Sequence, residues 1–405
     1  MKHVIIGNGA AGITAAEKIR ELRNEDSITI ISSEDSPVYS KCMLPDYIGG
    51  KLLREKLFIR DIKSYEKNKI DVLFNESIQQ LDINQCKIRL GSGGVLDYDK
   101  LLLAAGGSPF IPYMEGLDKV RYFTLNSVKD ADHIRENVIR DGTALIVGGG
   151  LTGIELGFAL KNLGMKPLII DRIDKILPKQ LDGESMKVLL GEIIEHGIEF
   201  SLNTTIERIE GSDTNLRSNG GRAVLSNGRE FDFDLIILTI GSRPNIGIVK
   251  DTGIKTERGI LVNKLMETSV QNIFAAGDIA EAIDKLSDEY VSSYVWPNAM
   301  AQGRCAAFNM SGVQQEFSSS QSMLNSVQLR DIPFLSMGAV NPSGNDYEIL
   351  TNYNKDLKVY KRVILKDDTV KGLIFYGDMK NANMVAGLAR KGTDVKDIKE
   401  ELTVI

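Results

Sequence analysis

The chain has 405 residues and a formal net charge of −6, with 42% hydrophobic and 26% charged residues. That is the composition of an ordinary soluble globular protein of about two to four domains. The acidic balance argues against general nucleic-acid binding, the longest apolar runs ("LIILTI", "LLLAA") have buried-strand length and not membrane-span length, and three cysteines, at 42, 86 and 305, offer neither a disulfide framework nor metal-ligand spacing. A cytoplasmic chain is expected, with "MKHVIIGNG" entering a strand at once and leaving no room for a signal peptide.

In chain order, "HVIIGNGAAGITAAEKIREL" comes first: an apolar strand, a G-x-G-x-x-G turn at Gly7, Gly9 and Gly12, then a helix with small residues facing a sheet. A β-branched strand, "SITIISSE", follows and ends in Glu34, and after it stands "YSKCMLPDY" with Cys42. The segments "KIDVLF", "IQQLDIN" and "CKIRL" predict a meander closed by "YDKLLLAAGGSPFIP". The opening pattern then repeats in "ALIVGGGLTGIELGFALKNLG", with Gly148, Gly150 and Gly153, and in "KPLIID", ending at Asp171. This second unit closes in "FDFDLIILTIGSRPN", before "GILVN" and "NIFAAGDIAEA". From about Phe317 the glycine signatures stop. Four segments, "FLSMGAVN", "YEILTNYN", "LKVYKRVILKDD" and "VKGLIFYGD", alternate like antiparallel strands, and "ANMVAGLARKG" reads as a closing helix.

One such glycine turn is weak evidence; two, each in strand–turn–helix–strand–acid context, predict two Rossmann-type domains. The turn lets backbone amides approach a pyrophosphate, and the helix N-terminus adds positive partial charge. Glu34 and Asp171 would accept hydrogen bonds from ribose hydroxyls, the alternative for each being an ordinary loop acid. Asp171 favours NADH, because a carboxylate repels a 2′-phosphate, while the adjacent Arg172 would pair with that phosphate and leaves NADPH as the alternative.

Carried by "GNGAAG", "YDKLLLAAGGSPFIP", "GGGLTGIE", "TIGSRPN" and "NIFAAGDIAEA", the chain resembles the FAD-dependent pyridine nucleotide–disulfide oxidoreductases over nearly all its length. The resemblance implies FAD at the first site and NAD(P)H at the second. It puts Gly277 and Asp278 against the ribityl and phosphate portion of the flavin, with a helix N-cap as the plain alternative for Asp278. It implies further cofactor contacts at Ala11, Ala105, Gly106 and Gly241, sets Glu155 beside the nicotinamide, and puts Trp296 over the flavin's dimethylbenzene side. A favourable helix dipole is the plain reading of Glu155, and interface packing that of Trp296. The implied fold is α/β: two Rossmann-like, three-layer ββα dinucleotide-binding domains plus a small C-terminal α+β domain. The expected boundaries are 1–115 with 242–316 for FAD, 116–241 for NAD(P)H, and 317–405 for a C-terminal interface domain.

Family members differ in what takes electrons from the flavin. The residue five after Cys42 is Tyr47, so the C-x-x-x-x-C of the internal-disulfide branch is absent. Cys42 lies where the single-cysteine branch (NADH oxidase, coenzyme A-disulfide reductase) has its redox thiol, but Ala10 and Ala11 stand where its oxygen-reducing members have a histidine. "YSKCML" also fits the Y-x-R-P-x-L of rubredoxin, ferredoxin and nitrite reductases, with Lys41 for Arg and Cys42 for Pro, and the C-terminal segment resembles theirs. Cys42 therefore reads as a buried small hydrophobe, a reactive thiol or a flavin-tuning group. Lys41 reads as a solvated charge, or as one that lowers the Cys42 pKa and holds a flavin phosphate. Cys86 and Cys305 are expected in the core. The implied activity is electron transfer between NAD(H) and an iron–sulfur carrier through FAD. The alternative is a single-cysteine coenzyme A-disulfide or persulfide reductase, or NADH oxidase, using Cys42. No metal, nucleic-acid or membrane partner is expected, and a homodimer is compatible.

Overall fold

The segment "KHVII" forms a strand, Lys2–Ile6, whose last four residues are all buried, as a parallel strand covered on both faces requires. In the computed structural model, which describes residues 1–211, 220–283, 289–317, 325–329 and 332–404, the chain divides into two compact units. The first comprises Met1–Ser40, Phe58–Ser108 and Ser242–Met323; the second comprises Lys41–Leu57, Pro109–Gly241 and Leu324–Ile405. The segment carrying Cys42 thus packs with the second unit, although the first surrounds it in sequence.

The first unit is built on a five-stranded parallel sheet in the order Ile273–Ala275, Lys100–Leu103, Lys2–Ile6, Ser27–Ile31 and Asp71–Leu73. "KIDVLF" is therefore the edge strand of this sheet and does not belong to the meander. It follows the helix Ile62–Lys67, and a strand–helix–strand crossover returns the chain parallel. The meander pairs Ile78–Asp82, Lys87–Leu90 and Val95–Asp97 in antiparallel fashion. Helices Ala10–Leu22 and Trp296–Met310 pack on each other, and Gly303 makes this crossing close, since a Cβ there would lie 2.2 Å from the Ala11 carbonyl oxygen.

The second unit repeats the plan. Its five-stranded parallel sheet runs Glu199–Ser201, Lys166–Ile170, Thr143–Val147, Leu235–Leu238 and Tyr122–Thr124, with a three-stranded antiparallel sheet from Ile206–Gly211, Gly221–Leu225 and Glu230–Phe233. The C-terminal part forms a five-stranded sheet, antiparallel as its alternation predicts, and helix Ala382–Lys391 covers it with Val385, Ala386 and Ala389. Asp182 ties this part to the nucleotide-type sheet: it caps helix Gly183–Glu195 and accepts from the Tyr360 hydroxyl at 2.6 Å and the Arg362 guanidinium at 2.9 Å. Among the described residues no helix is long and apolar enough to cross a membrane, and no group of three or more His, Cys, Asp or Glu is disposed to hold a metal ion.

Candidate functional site

The two glycine turns are alike in detail. Gly7 has φ +112°, and a Cβ on it would lie 2.1 Å from the Ala104 carbonyl oxygen; one on Gly12 would lie 1.9 Å from that of Gly7. In the second unit Gly148, at φ +117°, and Gly153 are pressed in the same way, a Cβ on them falling 2.5 Å from the Thr239 oxygen and 2.0 Å from the Gly148 oxygen. These outer glycines are required by strand–helix packing alone. The middle ones are not: a Cβ on Gly9 or Gly150 would meet nothing within 4 Å. The fold therefore needs no glycine there, whereas a pyrophosphate resting on the turn does.

Two of the buried unpaired side chains in the first unit, both amides, are compatible with the same ligand. The Asn8 side chain accepts from the Tyr65 hydroxyl at 3.1 Å, and its buried Nδ2 has no protein partner. Asn298, fully buried in the first turn of helix Trp296–Met310, leaves both side-chain polar atoms unpaired. Such groups cost about 1–3 kcal/mol each when nothing binds them, a cost a polar ligand relieves. The residues present thus fit a bound dinucleotide. Sequence reading missed Asn8 and Asn298, because an orphaned donor is defined only by its surroundings.

Around the first turn, Glu34 accepts from the Tyr39 hydroxyl at 2.5 Å. Gly277, at φ +80°, donates to Gln302 Oε1 at 2.8 Å and lies against the Ala11 side chain. Ala11 thus contributes helix packing. Asp278 precedes a strand, Ala280–Ile283, so helix capping is not its role. Ala105 and Gly106 receive the Asn245 side-chain and backbone N–H groups at 2.8 and 3.0 Å, Gly106 at φ +62°. Trp296 packs part-buried on the first unit's core at the start of its helix. In the second unit, Asp171 accepts from the Gly149 N–H at 2.7 Å and the Ile173 N–H at 3.0 Å, which fixes the carboxylate at the strand end beside the turn. Arg172 is exposed, and Gly241, at φ +103°, accepts from the Phe110 N–H.

Also within the second unit, Cys42 and Glu155 line one pocket with Asp46, Lys51, Phe158 and Asn162. The helix Leu151–Asn162 supplies Glu155, Phe158 and Asn162 from one face. The short helical run Lys41–Met43 and Leu44–Ile48 supplies Cys42 and Asp46, four residues apart on one side. Gly49 allows the contact, since a Cβ on it would already lie 3.1 Å from the Ala159 Cα. Cys42 is exposed, which removes the reading of it as a buried hydrophobe. Lys41 reaches Asn126 at 3.5 Å, and Tyr47, in the place a second cysteine would take, is buried and donates to Asp132 at 2.5 Å. Burial pushes the Glu155 carboxyl up to about 8, the Asp46 carboxylate adding to the shift and Lys51 opposing it. Asp46 and Lys51 were not singled out from the sequence, although the i, i+4 spacing from Cys42 to Asp46 was there to be read. Of the other cysteines, Cys305 is buried as expected, donates to the Gln315 carbonyl and is pushed up to about 12. Cys86 is exposed, because it occupies the hairpin turn before Lys87–Leu90 with φ +51° and is not part of the strand.

A family profile described as pyridine nucleotide-disulphide oxidoreductase matches residues 1–303, and one described as rubredoxin NAD+ reductase C-terminal domain matches 324–393. The chain is 30% identical to an NADH oxidase of Methanocaldococcus jannaschii, over 89% of this chain and 86% of that one. It superposes on an NAD-dependent persulfide reductase from A. fulgidus with a TM-score of 0.89 at 26% identity, covering 100% of this chain and 79% of that one. It superposes on an NADH:rubredoxin oxidoreductase from Clostridium acetobutylicum with a TM-score of 0.77 at 26% identity, covering 98% and 97%. Two further curated relatives are longer, and the chain spans 48% and 50% of their lengths.

Proposed function

Because the chain belongs to the pyridine nucleotide–disulphide oxidoreductase family, whose members bind FAD and NAD(P)H, we propose that it passes electrons between NAD(H) and an iron–sulfur carrier of rubredoxin or ferredoxin type. The observation that carries this reading is the rubredoxin-reductase type of C-terminal domain at residues 324–393. FAD, when bound, supplies the chemistry, accepting a hydride from NADH and releasing electrons singly. The protein's part is to hold and orient. The turn at Gly7, Gly9 and Gly12 would hold the FAD pyrophosphate, Glu34 a ribose, and Gly277 with Asp278 the ribityl chain; Gly106, Asn8 and Asn298 would add contacts. The turn at Gly148, Gly150 and Gly153 would hold the NADH pyrophosphate, and Asp171 the adenosine ribose, giving a preference for NADH.

Cys42 supports a second reading. An exposed thiol sharing a pocket with a carboxyl whose pKa burial raises suits a single-cysteine reductase of a coenzyme A disulfide or persulfide. The two readings separate in one anaerobic experiment, on wild type and Cys42→Ser side by side. Electron transfer predicts that the serine variant keeps most NADH-dependent reduction of a rubredoxin or a viologen dye. Fast wild-type turnover of coenzyme A disulfide or polysulfide, lost in Cys42→Ser, would instead make the thiol reading correct, because serine cannot supply a thiolate near neutral pH. A cytoplasmic location and a homodimer complete the proposal, to be checked by cell fractionation and light scattering.

A further inference from the structure

The pocket beside Cys42 brings together more titratable groups than nucleotide binding requires. Asp46 and Lys51 form an ion pair at 3.7 Å on the rim, both about half exposed. Glu155 projects from the facing helix, and Cys42 opens into the same space. Of the other charged and phenolic side chains of the segment, Lys41 pairs with Asn126, Tyr47 and Arg54 pair with Asp132, and Glu55 and Lys56 are exposed and do not line the pocket. On the helix of Glu155, Lys161 lies near Gly197, away from the pocket. The groups facing Glu155 from the packed segment are therefore Cys42, Asp46 and Lys51.

We propose that these four residues work as one acid–base cluster, in which the Cys42 thiol and the Glu155 carboxyl exchange a proton and the Asp46–Lys51 pair on the rim adjusts that exchange. The exchange breaks the Cys42 S–H bond as a Glu155 O–H bond forms, or the reverse; no electrons move. A carboxyl with an ordinary pKa would be ionised at all working pH values and useless as a donor to sulfur. Burial and the Asp46 carboxylate raise Glu155 into the range where thiols titrate, which is where proton exchange between the two is most efficient. The arrangement gives a sulfur anion generated at Cys42 a proton within the same pocket. It holds whichever electron acceptor the protein uses.

Two acids that share a pocket lose their protons in two macroscopic steps. The test follows iodoacetamide alkylation of Cys42 from pH 6 to 10.5 in the FAD-loaded protein carrying Cys86→Ser, which removes the other exposed thiol. In the Glu155-bearing protein the rate should rise in two steps or over a broadened range, because each ionisation opposes the other. In Glu155→Gln it should rise in one step at lower pH, with a rate at pH 9 about threefold or more above that of the parent. Asp46→Asn should shift the profile when Glu155 is present and by clearly less in the Glu155→Gln background, as expected if Asp46 acts through Glu155. Superimposable profiles with and without Glu155→Gln would overturn the proposal, as would an Asp46→Asn shift of equal size in both backgrounds. If Glu155→Gln fails to fold, a parent profile of single-group width is enough to reject it.

Discussion

Glu155 is a carboxyl that folding makes harder to ionise. With its pKa raised to about 8, the folded chain holds a proton at Glu155 that the unfolded chain has released, between the ordinary glutamate range and pH 8. Stability falls with rising pH where the folded state binds more protons, so Glu155 weakens the fold increasingly up to pH 8. Glu155→Gln should raise the melting temperature clearly at pH 8 and little at pH 4.5, as calorimetry at the two pH values will read. If Asp278 holds the ribityl chain as proposed, Asp278→Ala should lower FAD affinity by about 1–3 kcal/mol, the cost of depriving a buried hydroxyl of its acceptor. FAD fluorescence on dilution measures this, and unchanged retention would remove Asp278 from the site.

At the scale of elements, two contacts carry more than their size suggests. Helices Ala10–Leu22 and Trp296–Met310 cross where Gly303 meets Ala11, immediately after the first glycine turn. Gly303→Ala would force a methyl group against the Ala11 backbone at 2.2 Å. Overpacking of this kind costs about 1–3 kcal/mol, and because the displaced helix carries the glycine turn, FAD release should accelerate as the melting temperature falls. The second contact is Asp182, 6% exposed, which serves at once as helix cap, acceptor for Tyr360 and partner of Arg362. Asp182→Ala leaves Arg362 without its carboxylate and the helix without its cap. A loss of about 3 kcal/mol is expected in urea unfolding, and Asp182→Asn, which can still cap, should lose less.

At the scale of the whole molecule, each unit carries a parallel sheet of the same plan, an antiparallel sheet and a glycine turn whose middle residue faces open space. If the two turns serve different ligands, they fail independently. Gly150→Val should block flavin reduction by NADH, because the side chain occupies the space of the pyrophosphate, while FAD stays bound. Stopped-flow bleaching and the flavin content of the same sample decide it. Asp171→Ser should narrow the difference between NADH and NADPH, since the repulsion of a 2′-phosphate goes with the carboxylate. A wild type reduced faster by NADPH would reverse the assignment and point to Arg172.

The central strands of both parallel sheets, the glycine turns and four strands of the antiparallel C-terminal sheet were legible in the sequence, because each depends on a local period or spacing: apolar runs for buried strands, G-x-G-x-x-G for the turn, alternation for a half-covered sheet. The short edge strands Tyr122–Thr124 and Glu199–Ser201 and the strand Asn325–Leu329 were not. Nor was what depends on distant surroundings. "KIDVLF" joined the parallel sheet and not the meander because the preceding helix returned it there, and Cys86 was exposed because it fell on the hairpin turn before Lys87–Leu90 and not in the strand. The orphaned amides of Asn8 and Asn298 and the raised pKa of Glu155 are properties of burial, and burial is set by which segments pack together. The segment Lys41–Leu57 is the plainest case. Its sequence neighbours belong to the first unit, but its packing on helix Leu151–Asn162 through Gly49 joins it to the second and sets Cys42, Asp46 and Lys51 around Glu155.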